Sequence, residues 1–369
     1  MNRRFRPAAL LGLIATLFLS NLFAHHSAAP HFDLEKTITL DGTITKFEFV
    51  NPHGYVYFTV KGGDSKPVPW RCELAARTSL ARLGWTPETF PAGKKMQIKG
   101  APARREEHVC MLTSFIAEDG REIGRNDDLT KGGANPLATL AHDARPARLA
   151  DGHPNLSGPW VSRFGPGGRG PGGRGDKKGE FKKKGGPGGP PGAPEATDAG
   201  LLASKSYDQR FDDPAIKCNP ANIIFGFTHD QHVNEIEQKG DSIILRYGYM
   251  DFVRTVHMNL TEHPQKIQPS TAGHSIGKWE GDVLVVDTVG FKPGVLIPLS
   301  GLMHSGQMQV TERFSVNDET QTLTREFRAT DPLYLKSVYT GNNLMDLSKE
   351  PYVRYNCVEL SGKNNIRPK

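Results

Sequence analysis

The sequence predicts an all-β protein, a small five-stranded barrel followed by a larger antiparallel barrel, with a Gly/Pro/Lys-rich segment between them. Three observations carry this prediction. Apolar and polar residues alternate with period two through residues 38–116 and again through 207–360, the mark of half-buried strands. Helical spacing is confined to one short run at 77–84. Residues 163–194 interrupt the chain with a low-complexity stretch. At 369 residues the chain also exceeds one typical domain of about 100–200 residues, so two folded units are expected.

In the first unit, residues 25–125, the runs ITLDGTITKFEF (38–49) and YVYFTVK (55–61) are rich in β-branched and aromatic residues, and Asn51-Pro52-His53-Gly54 breaks them. Trp70, Cys72 and Leu74 then alternate with Arg71 and Glu73, giving an apolar and a charged face. Residues 77–84 (RTSLARLG) read as a short helix with Leu80 and Leu83 as its stripe and Gly84 as its stop. After a turn at Pro87–Gly93, Met96 and Ile98 alternate with lysines and Gln97, and Val109–Ile116 forms a last strand. Three strands, a helix and two strands is the order of an oligonucleotide/oligosaccharide-binding (OB) type barrel, a scaffold that does not identify a ligand.

Residues 126–206 read as a connecting region. Its stretch 163–194 lacks β-branched residues and cannot bury enough surface to offset its ordering entropy, so it is expected to be disordered. Contact of this basic stretch with an anionic cell-envelope surface is an alternative to a plain tether. The second unit, 207–361, shows Ile243, Leu245, Tyr247 and Tyr249 on one strand face. Val283, Val285 and Asp287 oppose Leu284, Val286 and Thr288, while Met308, Val310, Glu312, Phe314 and Val316 share a face. Turn signals at 239–241, 280–282 and 317–318 separate such runs, so roughly eight to ten strands should close a barrel or sandwich. Residues 362–369 are a tail.

The amino terminus places the protein. Arg3, Arg4 and Arg6 precede an apolar run from Ala8 to Phe23, and Ala24 stands before polar sequence, the order of a secretory signal peptide over 1–24. The run is shorter than the about 20 apolar residues of a membrane span. Cleavage after Ala24 makes His25 the first residue, whereas a cut near Ala28 or Ala29 removes the histidine pair. Loss of three arginines takes the net charge from +6 to +3. The eight basic and two acidic residues of 163–194 leave the remainder near −3, which argues against a folded nucleic-acid surface. Four cysteines allow three pairings. Export and their two-and-two split select Cys72 with Cys110 and Cys218 with Cys357 in a periplasmic or secreted protein.

Two stretches carry a family resemblance. The leader, His25-His26-Ser27, Asn51-Pro52-His53 and Gly84-Trp85 together resemble a group of uncharacterised exported bacterial proteins over about residues 25–118. Gly273-His274-Ser275-Ile276-Gly277-Lys278-Trp279-Glu280-Gly281-Asp282 with Val285-Val286-Asp287-Thr288 resembles a second uncharacterised exported β-domain. In that group a Leu-Ser-Gly-x-Trp segment stands upstream, here Leu156–Trp160, and its Gly158-x-Trp160 is similar to the opening strand of lipocalin-like barrels. The resemblance implies a barrel that holds a small apolar ligand. The glycine-rich insertion after it departs from a compact lipocalin.

Three constellations bear chemistry. An amino-terminal His25 offers its α-amine and its imidazole, and a second imidazole from His53 or His26 completes a nitrogen set suited to copper as Cu(II). The alternative is a frayed terminus with His53 capping a turn. Gly273-His274-Ser275-Ile276-Gly277 matches a hydrolase nucleophile pattern, which requires a helix after the serine, yet another strand follows here. His257, His274, Asp287, His304, Glu312 and Arg313 lie on strands and either line a small-ligand pocket or form a satisfied network. Asp287 and Glu312 each require a partner such as Arg254, Arg313 or a histidine. The expected function is non-catalytic binding of a small ligand, with copper capture at His25. A copper-dependent oxidase-like site at His25, a hydrolase at Ser275 and an envelope adaptor are the alternatives.

Overall fold

The computed structural model describes residues 28, 30–51, 53–63, 66–130, 137, 145–163, 193–228 and 232–357. The leader with His25 and His26, and residues 164–192 of the basic stretch, lie outside the described residues.

The first unit runs β1 (Ile38–Glu48), β2 (Tyr55–Lys61), β3 (Pro67–Glu73), helix α1 (Arg77–Arg82), β4 (Lys95–Pro102), β5 (Val109–Ile116) and β6 (Glu122–Gly124). The strands hydrogen-bond in the order β3-β2-β1-β4-β5-β6, and β5 returns beside β3, in parallel, to close five of them into a barrel. Ile44, Val56, Phe58, Cys72, Ile98, Cys110 and Leu112 fill its interior, and Leu80 of α1 packs into the same cluster. Cys72 lies opposite Cys110 in the parallel pair, and the two form a disulfide. Burial of one face explains the period-two pattern, while the opposite face carries Arg71 and Glu73.

The second unit contains β7 (Gly158–Ser162), α2 (Asp198–Ser204), α3 (Gln209–Asp212), α4 (Ile223–Thr228), β8 (Asn234–Lys239), β9 (Ser242–Arg246), β10 (Val253–His257), β11 (His274–Glu280), β12 (Val283–Val289), β13 (Gly294–Ile297), β14 (Leu302–His304), β15 (Gln309–Val316), β16 (Thr322–Thr330) and β17 (Tyr339–Leu347). Nine of these strands close a barrel in the order β10-β11-β12-β15-β16-β17-β7-β8-β9. Strand β7 comes from the segment that the sequence left in the connecting region. Its Trp160 is completely buried, donates Nε1–H to Leu156 O at 2.8 Å, and bridges β17 and β8 through strand pairing. Pairing is antiparallel except between β10 and β11, because residues 258–273 carry the chain back along the wall.

Helix α4 contributes to the core of this barrel. Ile223, Ile224 and Phe227 of α4 belong to the same buried cluster as Trp160, Ile236, Leu245, Val286, Val310 and Phe314. Asn222 anchors the helix: its Oδ1 accepts from the backbone N–H of Ile224 (2.9 Å) and Phe225 (2.8 Å), and its Nδ2 donates to Val295 O (2.7 Å) and Leu296 O (3.0 Å).

Candidate functional site

In the first barrel, His53 lies on the outer wall. Asn51 braces the turn before it by accepting from Thr78 N–H at 3.2 Å and donating to Thr78 Oγ1 at 3.0 Å. Gly54 bonds to Ala75 and Leu74 on the far side. The ring then meets Glu73, with His53 Nδ1 at 2.5 Å from Glu73 Oε1 and both side chains about nine-tenths buried. Cys72 and Leu74 point inward, so Glu73 points outward, beside its cross-strand partners Tyr55 and Met111. Met111 packs with Phe32, Ala101 and Ala28, which seats the start of the described chain against this wall. Arg125 donates to Met111 Sδ at 2.7 Å; burial pushes its guanidinium pKa down, against the pull of the Glu73 charge. Burial and then the same carboxylate push the Tyr55 and Tyr355 hydroxyls upward.

In the second barrel, the six residues singled out by the sequence fall in four places. His257, His274 and Asp287 come together on the outer wall, where residue 263 joins them. His263 Nε2 is 3.1 Å from Asp287 Oδ2, and its Nδ1 is 2.8 Å from His274 Nδ1. The carboxylate can only accept, so His263 donates from Nε2, and its Nδ1 and that of His274 share one proton between them. His257 stacks on His274 with ring centroids 5.0 Å apart. Desolvation, then His263 and His257, lower the His274 pKa and so favour its neutral ring. Among the described residues, no group of three or more His, Cys, Asp or Glu is arranged to hold a metal ion. Sequence reasoning missed His263 because it sits in an aperiodic segment; its one signal is that three of the chain's thirteen histidines fall between 257 and 274.

Glu312 points into the barrel interior instead. It is fully buried between Arg254 and Arg325, accepting from Arg254 Nη1 and, at 2.7 Å, from Arg325 Nε. Burial pushes its carboxyl up, but the two guanidiniums outweigh this and hold it below the usual range. Arg313, one residue on, faces outward and pairs with Glu280 at 2.9 Å. Opposite faces of one strand thus separate the two.

His304 stands apart, on β14, 1% exposed, with Nδ1–H donating to Ser305 O at 3.1 Å. Desolvation lowers its pKa against the opposing Ser305 and Asp331 contributions. Unfolded histidine titrates near 6.5, so below that pH the unfolded chain binds the proton first and stability falls as pH falls. The slope approaches about 1.4 kcal/mol per pH unit until the folded pKa is reached. We expect His304→Asn, which keeps a donor near the Nδ1 position, to flatten this loss between pH 7 and 5; urea unfolding at several pH values measures it, and an unchanged slope would refute the assignment.

Ser275 does not form a nucleophile elbow. It lies inside strand β11, 1% exposed, with its hydroxyl 2.9 Å from Thr288 Oγ1. Packing accounts for both glycines of the pattern. Gly273 has φ +66°, and a Cβ there would stand 2.7 Å from Val289 O. One on Gly277 would meet Met258 Sδ at 2.6 Å.

These features define an all-β protein of two barrels with both cysteine pairs oxidised, Cys72–Cys110 and Cys218–Cys357, and no free thiol. Such pairing is the habit of proteins in an oxidising compartment. No helix among the described residues is long and apolar enough to cross a membrane. Residues 15–111 match the model of a family of unknown function, DUF6152, a match that ends inside β5 and leaves the second barrel uncovered. No curated protein and no solved structure matches the chain.

Proposed function

We propose that this chain is an exported, non-catalytic binding protein whose first barrel captures Cu(II). Removal of the basic and apolar leader after Ala24 frees the α-amine of His25, which with its own imidazole and that of His53 supplies three nitrogens. The observation that carries this reading is the 2.5 Å contact of His53 Nδ1 with Glu73 Oε1. A ring that donates Nδ1–H to a carboxylate is fixed in the tautomer whose Nε2 ligates metal. The seating of Ala28 and Phe32 against Met111, next to Glu73, adds to it. Three residues of chain reach at most about 10 Å, so an amine at residue 25 stays within range of that wall.

The α-amine titrates near 7.7–8.0, so Cu(II) displaces its proton close to neutrality. Calorimetry on the processed chain should give near-stoichiometric Cu(II) binding. His25→Ala, or one extra residue ahead of His25, should weaken it by orders of magnitude, and Glu73→Gln by about 10–100-fold. Equal affinity with and without the extra residue would end the proposal, and would leave His26 or the frayed terminus as the competing account.

A further inference from the structure

We propose that the second barrel binds a small monocarboxylate inside its wall, on the free edge of the Arg254 guanidinium, with Tyr247 and Asn234 as additional donors. The first ground is charge. Arg254, Arg325 and Glu312 have side chains at most 1% exposed, two cations to one anion. Among the described residues, Glu312 is the one acid that forms an ion pair with Arg254. One buried positive charge is therefore left over, and an unneutralised buried charge is costly.

The second ground is hydrogen bonding. Every nitrogen of Arg325 has a partner: Nε goes to Glu312, Nη1 to Asn343 Oδ1 at 2.9 Å, and Nη2 to Ile223 O at 3.3 Å. Its guanidinium also lies over the rings of Phe227 and Phe327. Arg254 gives only Nη1 to Glu312, and its Nε and Nη2 are buried without a partner among the described residues. Those two N–H groups project from one edge of the planar guanidinium in parallel, the geometry that accepts two carboxylate oxygens. The Tyr247 hydroxyl and Asn234 Nδ2 are likewise buried and have no partner among the described residues.

The register places these groups on one interior face. Arg254 lies opposite Leu245, which lies opposite Ile236, so Tyr247 and Asn234 are two residues along on the neighbouring strands. Asn234 Oδ1 is held by Gly248 N–H at 2.7 Å, leaving its amide nitrogen as the remaining function. Burial pushes the Tyr247 pKa up to about 12, so it stays a donor at neutral pH. The apolar Phe227 ring stands edge-on to Tyr247 at 5.6 Å, which suits a ligand with a short apolar tail.

The test uses the intact oxidised protein in a zwitterionic buffer free of chloride and carboxylates. Sodium acetate, butyrate and octanoate are titrated by calorimetry and thermal shift, against acetamide, 1-octanol and sodium chloride. At least one carboxylate should bind saturably and raise the melting temperature where its neutral counterpart does not. Tyr247→Phe should weaken that binding about fivefold or more, for the loss of one hydrogen bond. Arg254→Lys, which keeps the charge but removes the paired donors, should weaken it at least tenfold. Absence of carboxylate binding, equal binding of acetamide or octanol, or chloride matching the carboxylates would each overturn the assignment. These wild-type comparisons decide it even if the variants fail to fold.

Discussion

Replacing Glu312 with glutamine should destabilise the second barrel by about 3–5 kcal/mol, the usual cost of removing one member of a buried ionic group. The variant keeps the shape of the side chain but leaves Arg254 and Arg325, both fully buried, facing a neutral amide. Arg313→Gln, one residue away, removes only a surface pair with Glu280, and such pairs contribute at most about 1 kcal/mol. The contrast between adjacent positions separates interior from exterior in one experiment, read by denaturant unfolding. The same carboxylate shapes the acid limb. Because the folded Glu312 pKa lies below its unfolded value, its contribution is complete above about pH 4.3 and is lost as pH falls through the folded pKa. The Gln variant should lack that part of the acid transition. A loss under 1 kcal/mol would mean that the barrel core relaxes around the unpaired guanidiniums.

Much of the architecture was legible because burial on one side of a strand writes itself into the residue pattern. Val310, Glu312 and Phe314 alternate with Thr311 and Arg313, and the former three face the interior. A carboxylate in that apolar series demanded a cation, and Arg254 was among the candidates named from the sequence. Arg325 was not named, since it lies on another strand and only the pairing of β15 with β16 sets it opposite Phe314, beside Glu312 on the same face. The helix α4 escaped for a different reason. Its six residues, Ile223–Thr228, are too short for helical spacing to be distinguished from an apolar strand. The outer-wall group of His257, His263, His274 and Asp287 was three-quarters legible, because three members occupy strands and His263 comes from a segment without periodicity. Strand β7 was signalled by Gly158-x-Trp160, but the glycine-rich insertion that separates it from its neighbours in the chain left its place in the barrel open.

Removal of the Cys218–Cys357 bridge should have a comparable or larger effect. The crosslink closes a sequence separation of 139 residues, for which chain-entropy reasoning gives up to about 5 kcal/mol, against about 4 for the separation of 38 between Cys72 and Cys110. Its location makes the larger figure structural as well. Cys218 lies just ahead of Asn222 and α4, and Cys357 lies beyond β17, packed in a small cluster with Ala215, Tyr249, Met250 and Tyr355. Asp251 secures the same segment by accepting from Tyr355 N–H at 2.7 Å and Asn356 N–H at 3.1 Å. The bridge therefore ties the approach to the interior helix to the end of the barrel, and its loss frees both. A paired Cys218→Ser and Cys357→Ser variant should melt about 10–20 °C lower, since 1 kcal/mol moves a domain of this size by about 2–4 °C. Reduction of the wild-type chain with dithiothreitol opens both bridges and should bring it to the melting temperature of the reduced paired variant, and the further drop of the paired variant on reduction is the share of Cys72–Cys110. A variant that melts with the wild type would show that the barrel and its helix hold the carboxyl-terminal segment without the crosslink.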